Sequence, residues 1–189
     1  MKKIDLVRRL AEKSPYFTTY DVIRILKNRK YAYLLLSILE KRKEIFRLAK
    51  GFYSKHDDPS LIVYYFKPAY LGLQDAMSFH NLWEQETIPM IITVKNVRRG
   101  LRKVFGMNVL IRKIDPKYFF GFEFFKANDF YLPISTVEKT LIDLIYFREW
   151  RAEYSSYFKQ RIDRKILEGY LRKYPKKTQE KILKILSGF

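Results

Sequence analysis

Residues 17–54 contain two short helix-like patterns followed by two strand-like patterns, and this order constrains the fold more than any other segment. Thr18 and Asp21 form a capping-box-like pair that begins the first of these helices. Asn28 is the predicted cap of the next helix, and Gly51 supplies a positive φ for the hairpin turn that follows. One apolar stripe at helical spacing predicts the buried face of that second helix: Ala32, Leu35, Leu36 and Leu39. With a short amphipathic helix before it, the segment predicts a winged helix-turn-helix, whose later helix enters a DNA groove.

The outward face of the helix predicted over residues 29–42 is basic and polar. Together with the hairpin it supplies the candidate DNA-binding residues: Arg29, Lys30, Tyr33, Ser37, Lys41, Arg47 and Lys50. No Asn, Gln or paired Arg stands on that face for bidentate base reading, so we expect phosphate contacts more than sequence-specific ones. An ordinary solvated face explains Lys30 and Lys41 equally well.

The positive charge is concentrated at the two ends of the chain, within a formal net charge of +18. Residues 1–58 carry 15 Lys and Arg against 7 Asp and Glu, residues 59–149 carry 12 against 9, and residues 150–189 carry 11 against 4. This division predicts a DNA-binding domain, a nearly balanced middle domain and a basic tail that contacts a polyanion. A general lysine bias of the proteome is the alternative.

The middle segment predicts an α+β domain. Its expected strands cover residues 61–66, 90–94, 109–114 and 119–125, with a short last strand at Ile134, and its first helix covers residues 74–82. Ser135–Glu138 is the expected capping box of a further helix, on which Lys139 and Asp143 form an i, i+4 pair. Two amphipathic basic helices, separated by Pro175, are expected to pack on this domain.

Composition excludes several functional classes. The chain has no Cys and only His56 and His80, so a thiolate metal site is impossible and we expect no metal. Neither a Walker loop nor a GxGxxG motif occurs, so no cofactor is expected. The basic N-terminus lacks an apolar leader core and no long apolar run follows. These features predict a cytoplasmic protein without a membrane partner.

Two constellations invite a catalytic interpretation. Asp75, Ser78 and His80 have the residue types of a triad, but Ser78 and His80 lie two positions apart and point to different sides of one predicted helix. Asp115, Glu123 and Lys126 faintly resemble a nuclease cluster. A two-metal site needs several convergent carboxylates, and the neighbouring strand residues are aromatic. We therefore expect no catalytic residues and no enzymatic activity.

A second basic patch surrounds Gly100. Its five cations are Lys95, Arg98, Arg99, Arg102 and Lys103. Such a cluster favours contact with phosphate or with an acidic protein, and a solvated face is the alternative.

Three segments share a pattern with one known family. The first contains Ile45-Phe46-Arg47-Leu48 and Gly51-Phe52-Tyr53; the second contains Tyr70 to Met77, His80-Asn81-Leu82 and Pro89; the third contains Ile134 to Thr140, Leu141 and Asp143. Together they resemble the AbiEi-type antitoxins of abortive-infection toxin–antitoxin systems, over residues 17 to about 147. The third segment is the most specific. Lys43 and Asn81 stand where the family has Gly.

The resemblance implies a two-domain antitoxin. Its winged helix would bind its own promoter in double-stranded DNA, and its second domain would neutralise a nucleotidyltransferase-like toxin. Two alternatives stay open: a metal-dependent nuclease that uses its basic ends for docking, and a stand-alone winged-helix regulator without a toxin partner.

Overall fold

A computed structural model describes residues 2–85 and 87–188, and it confirms the α+β class. The first half-domain contains helices α1 (Lys3–Lys13), α2 (Thr19–Leu26) and α3 (Arg29–Lys41) and strands β1 (Phe17–Thr18), β2 (Phe46–Ala49) and β3 (Phe52–Ser54). Strand β3 lies between β1 and β2 and is antiparallel to both. The predicted caps are confirmed, because the Thr18 side chain accepts from Asp21 N and the Asn28 side chain accepts from Tyr31 N.

The second part is built on a mixed six-stranded sheet. Its elements are β4 (Ala69–Leu71), α4 (Leu73–Phe79), β5 (Met90–Thr93), β6 (Gly100–Val104), β7 (Met107–Lys113), β8 (Phe122–Ala127), β9 (Phe130–Ser135) and α5 (Val137–Tyr146). The strand order is β6-β7-β5-β4-β9-β8, with β4 parallel to β9 and β5 parallel to β7. Strands β6 and β8 are therefore the two edges.

Alternating residues of the central strands face two different apolar layers. Tyr70 and Ile92 pack with α5 and with the helices of the tail. Leu71 and Ile91 pack on the other side, where they meet the 3-10 helix Pro59–Phe66 and residues of the first half-domain. The sheet thus lies between the tail and the N-terminal part of the chain.

The tail contains α6 (Ser155–Phe158), α7 (Arg164–Leu171) and α8 (Lys176–Leu186). Its apolar side chains belong to the core that includes α5: Tyr154, Phe158, Leu167, Leu171, Tyr174 and Ile182 are all buried there. The basic residues of these helices face away from that core. Removing the tail would therefore expose the interior of the second domain.

Two local predictions are wrong, and one strand was not predicted. The run Leu61–Phe66, predicted as a strand, lies in the 3-10 helix Pro59–Phe66, which Asp58 caps by accepting from Ser60 N. Strand β6 occupies part of the basic cluster around Gly100, where no strand was predicted. The cap of α5 is Thr136 and not Ser135, whose hydroxyl is buried against the Thr140 hydroxyl at 2.7 Å.

The predicted boundary at residue 58 runs through a shared hydrophobic cluster. Leu48, Ala49 and Phe52 from the first half-domain pack in the same cluster as Leu61 and Ile62. The Tyr16 ring also stacks between the rings of Phe52 and Tyr64, with centroid distances of 4.9 and 4.8 Å. Within the described ranges, no helix is both long and apolar enough to cross a bilayer.

Candidate nucleic-acid interface

Helix α3 presents the candidate residues because its apolar stripe is buried in the N-terminal core. Ala32, Leu35, Leu36 and Leu39 are buried as predicted. The opposite face is exposed and carries all five candidates on this helix: Arg29, Lys30, Tyr33, Ser37 and Lys41. The Arg29 guanidinium lies 6.0 Å from the centroid of the Tyr33 ring, so the N-terminal end of the face joins a cation to an aromatic surface.

The turn between α2 and α3 adds cations that the sequence interpretation missed. Lys27 has a left-handed φ of 51°, and its N–H donates to Ile23 O at 2.8 Å, which ends α2. Asn28 then caps α3, so only Lys27 and Asn28 separate the two helices. Lys27 and Arg24 are exposed at this turn. The sequence contained a signal for this position, because only two residues separate the apolar patterns of the two helices. That short connection could have indicated that Arg24 and Lys27 lie near the start of α3.

The tip of the β2–β3 hairpin carries Lys50. This lysine is exposed, and Gly51 follows it with a φ of +69°. Arg29, Lys30, Lys41 and Lys50 have no carboxylate oxygen within 4.0 Å in the described part of the chain, whereas Arg8 pairs with Glu44 at 2.7 Å. The exposed cations of α3 and the hairpin tip therefore keep their full charge for a partner.

Arg47 has a different environment from the other candidates. It is half-buried on β2, with its guanidinium 4.4 Å from the centroid of the Phe105 ring and 5.9 Å from that of Tyr53. Its Nε is buried without a hydrogen-bond partner. Phe105 belongs to the turn between β6 and β7, so the turn of the β6–β7 hairpin contacts strand β2 of the N-terminal sheet. The structure places Arg47 in a contact between the two parts of the protein.

The second basic patch lies on the loop before β6 and on β6 itself. Lys95, Arg98, Arg99 and Lys103 are exposed, and Arg102 is half-buried with its Nη1 3.4 Å from Arg98 O. Phe105, two residues after Lys103, contacts Arg47, so the C-terminal end of this patch lies next to the first half-domain.

The residues of the triad-like set have separate partners. Asp75 accepts from Thr87 Oγ1 at 3.0 Å and from Met90 N at 3.2 Å, and burial raises its pKa to about 6. Ser78 donates to the carbonyl oxygens of Trp83 and Gln85. His80 Nε2 lies 2.7 Å from Ser135 O. These contacts tie α4 to the loop that follows it and to β9.

The nuclease-like set is also dispersed among different contacts. Asp115 caps a short 3-10 helix and lies 3.6 Å from Lys117 Nζ. Glu123 and Lys126 are exposed on the edge strand β8. Within residues 2–85 and 87–188, no three His, Asp or Glu side chains come together as metal ligands would.

The strongest electrostatic feature of the interior is the Lys139–Asp143 pair on α5. The i, i+4 pair is confirmed, and both side chains are fully buried. Tyr70 OH donates to Asp143 Oδ2 at 2.8 Å, and Lys139 Nζ donates to Tyr174 OH at 3.1 Å. Burial lowers the pKa of Lys139, an effect that the neighbouring Asp143 carboxylate opposes. This cluster connects the sheet, α5 and the tail.

Comparison with known proteins identifies a similar fold but no matching family. No family model matches the sequence, and no curated protein matches it. Among solved structures, the RV2827C protein from Mycobacterium tuberculosis has a similar fold, with a TM-score of 0.61 and 12% sequence identity. The match covers 97% of this chain and 74% of the mycobacterial chain. The shared architecture therefore extends across the N-terminal part, the six-stranded sheet and the tail.

Proposed function

We propose that this protein is a DNA-binding transcriptional regulator whose N-terminal half-domain acts as a winged helix-turn-helix. The observation that carries the proposal is the exposed, unpaired set of cations on α3 and at the hairpin tip, above all Lys30, Lys41 and Lys50. Unneutralised lysines on the exposed face of a helix and at a hairpin tip suit a duplex, whose phosphates line both sides of a groove.

Binding in this proposal is dominated by phosphate contacts. Lys27, Arg29 and Lys30 are exposed at or next to the start of α3, and Arg24 lies in the last turn of α2, 3.8 Å from Asp21. Lys41 is at the other end of α3, and Lys50 is at the hairpin tip. Release of counterions from the DNA supplies most of the affinity of such an interface. Tyr33 and Ser37 offer a hydroxyl each for further polar contacts, and neither makes the bidentate contacts that read a base unambiguously.

We further propose that the regulator is an antitoxin of the AbiEi kind, which represses its own operon and neutralises a nucleotidyltransferase-like toxin. The resemblance of the three segments supports this. Two backbone features agree with it: Lys43 and Asn81, which stand where the family has Gly, have positive φ values of 56° and 54°. Glycine adopts such values without steric cost, so the local backbone suits the residue that the family has there.

The DNA proposal is tested by titrating the full chain with a labelled duplex from the region upstream of its own gene. With about six phosphate contacts, affinity should fall by roughly 10³ between 50 and 200 mM salt. The triple variant Lys30→Ala, Lys41→Ala, Lys50→Ala should bind more weakly and lower the salt slope by roughly 1 for each phosphate that is no longer bound. The control replaces Lys126, Lys159 and Lys165, exposed lysines remote in sequence from α3, and should keep the slope. Equal slopes for the two triple variants would overturn the proposed surface.

The antitoxin role is tested by co-expression with a nucleotidyltransferase-like protein encoded beside the gene. The full chain should restore growth, and a catalytically silent toxin should form a complex with it. A chain that represses its promoter but neither rescues growth nor binds that protein would be a stand-alone regulator.

A further inference from the structure

Strand β6 leaves one side of the six-stranded sheet open. It pairs with β7 from Gly100↔Ile111 to Val104↔Met107, and no strand within the described residues pairs with its other side. The outward N–H and C=O groups of an edge strand can accept another extended chain. The five residues of β6 offer a ladder roughly 16 Å long.

The charge beside this edge has a single sign. From Lys95 to Lys113 the chain contains seven Lys and Arg residues and no Asp or Glu: Lys95, Arg98, Arg99, Arg102, Lys103, Arg112 and Lys113. Only Arg112 of these forms an ion pair within the described chain, with Glu149. A segment lying along β6 would therefore meet several unneutralised cations, which favours an acidic sequence.

An apolar side chain, Leu101, lies among the cations on the exposed face of β6. Leu101 is 67% exposed, and Phe105, at the following turn, is 51% exposed. Lys103 shares a face with Leu101, since side chains two residues apart in a strand share a face. Phe105 lies outside the strand with a φ of 49°, and its ring contacts Arg47. The other face is anchored, because Val104 and Met107 pack in the core cluster below the sheet.

We propose that the β6 edge binds an acidic, extended segment of a partner protein by strand addition. Backbone hydrogen bonds to β6 would provide register, Leu101 would contact an apolar side chain of the segment, and Arg98, Arg99 and Lys103 would pair with its carboxylates. A nucleic-acid backbone would use the cations but neither the open ladder nor the exposed leucine. The inference goes beyond DNA binding by α3 and is independent of it.

The opposite edge of the sheet provides an internal control. Strand β8 is equally open and carries an exposed apolar residue, Phe124, which is 62% exposed. Its charged residues, Glu123 and Lys126, are of opposite sign. The two edges therefore share an open ladder and an apolar side chain but differ in charge, and only β6 should select an acidic segment.

The test measures binding of the full chain to a short fluorescein-labelled peptide in which Glu and Val alternate. Fluorescence anisotropy should detect binding, and hydrogen exchange should show protection of the Leu101 and Lys103 amides but not of those in β8. The double variant Arg98→Glu, Arg99→Glu should weaken binding about tenfold or more. The charge-matched control Lys126→Glu, Lys159→Glu should change it less than about twofold, because those sites are away from β6.

A second probe separates strand addition from simple charge attraction. An N-methylated peptide has the same side chains but lacks backbone donors, so its affinity should fall at least about tenfold. Equal binding of the two peptides would overturn strand addition. Loss of duplex binding in Arg98→Glu, Arg99→Glu, with no peptide binding by the unmodified chain, would assign the patch to DNA and also overturn it. The triple lysine variant of α3 and the hairpin tip should keep full peptide affinity, so the two proposals fail separately.

Discussion

Helices α3 and α5 are similar in length and both carry lysines, but they differ in how many sides are covered. Four of the 13 residues of α3 are buried, all in one stripe, so the basic residues of α3 face solvent. Eight of the ten residues of α5 are buried, because β9, α4 and the tail cover it from several directions. A lysine on α3 is therefore free to meet a partner, whereas Lys139 on α5 is part of the interior.

The difference shows that a count of basic residues does not identify a binding surface. Lys30 and Lys139 contribute equally to the net charge, yet only Lys30 is exposed. Lys139 stays within hydrogen-bonding distance of Asp143 and Tyr174, and its energetic role is to balance a buried carboxylate. The comparison between the two helices can be tested by substitutions that act on one of them.

The largest expected effect is that of Lys139→Ala. Removing this cation leaves the fully buried Asp143 carboxyl, whose pKa burial already raises, with Tyr70 as its remaining partner, so we expect a loss of about 3–5 kcal/mol in the free energy of unfolding. Urea denaturation of the full chain measures it. Replacing both members, Lys139→Met with Asp143→Leu, should cost much less. Equal losses for the single and double variants would mean that the pair is not electrostatically coupled.

Substitutions within α3 should separate its two faces. Leu36→Ala opens a cavity in the N-terminal core and should cost about 3 kcal/mol. Leu34 is 54% exposed on the same helix, and Leu34→Ala should change stability by less than about 0.5 kcal/mol. The same denaturation experiment measures both. Similar losses would show that a further surface covers Leu34, and the helix would then be less open than we propose.

Asp75, on the helix that packs beside α5, is a partly buried acid with no cation in its hydrogen-bond set. Burial raises its pKa to about 6, from an unfolded value of about 3.9. A raised pKa stabilises the folded state at low pH, and this contribution is lost as pH rises through about 6. We therefore expect the free energy of unfolding of the natural chain, relative to that of Asp75→Asn, to fall by about 2 kcal/mol from pH 4 to pH 7. A difference that stays constant with pH would show that Asp75 is hydrated in the folded state.

The smallest expected effect is that of the exposed lysines on stability. Lys30→Ala and Lys41→Ala remove no buried contact and no ion pair, so unfolding should change by less than about 0.5 kcal/mol. Thermal unfolding without DNA checks this, and the same variants should lose DNA affinity. A large loss of stability would show that these lysines make stabilising contacts in the folded protein, as Lys139 does.

Local signals allowed much of the N-terminal part to be predicted. Thr18 and Asn28 cap their helices as expected, and Leu35 and Leu39 lie in the buried stripe. Contacts of this kind join residues three or four positions apart, so the sequence contains both partners. The stripe predicted which face of α3 is buried, and the binding of the opposite face to DNA stays a prediction.

The errors occurred where the pattern lacked a period or where a partner lay far along the chain. The run Leu61–Phe66 is apolar throughout, which suits a buried strand and a buried helical turn equally, and Asp58 with Pro59 favoured the turn. Strand β6 was hidden by its cations, because an edge strand with one exposed face does not need an apolar sequence. Arg47 lies on the hairpin as expected, but its contact with Phe105, from a turn far along the chain, could not be read from the sequence.

The sequence by itself determined the α+β class, the caps and stripe of α3, the pairing of Lys139 with Asp143, and the strong positive charge. Tertiary structure alone decided which charges face solvent. It buried Lys139 beneath Tyr174 of the tail, stacked Arg47 on Phe105 and left β6 at the edge of the sheet. The physical reason is that helix capping and amphipathic spacing are short-range, whereas desolvation depends on every element that packs around a side chain.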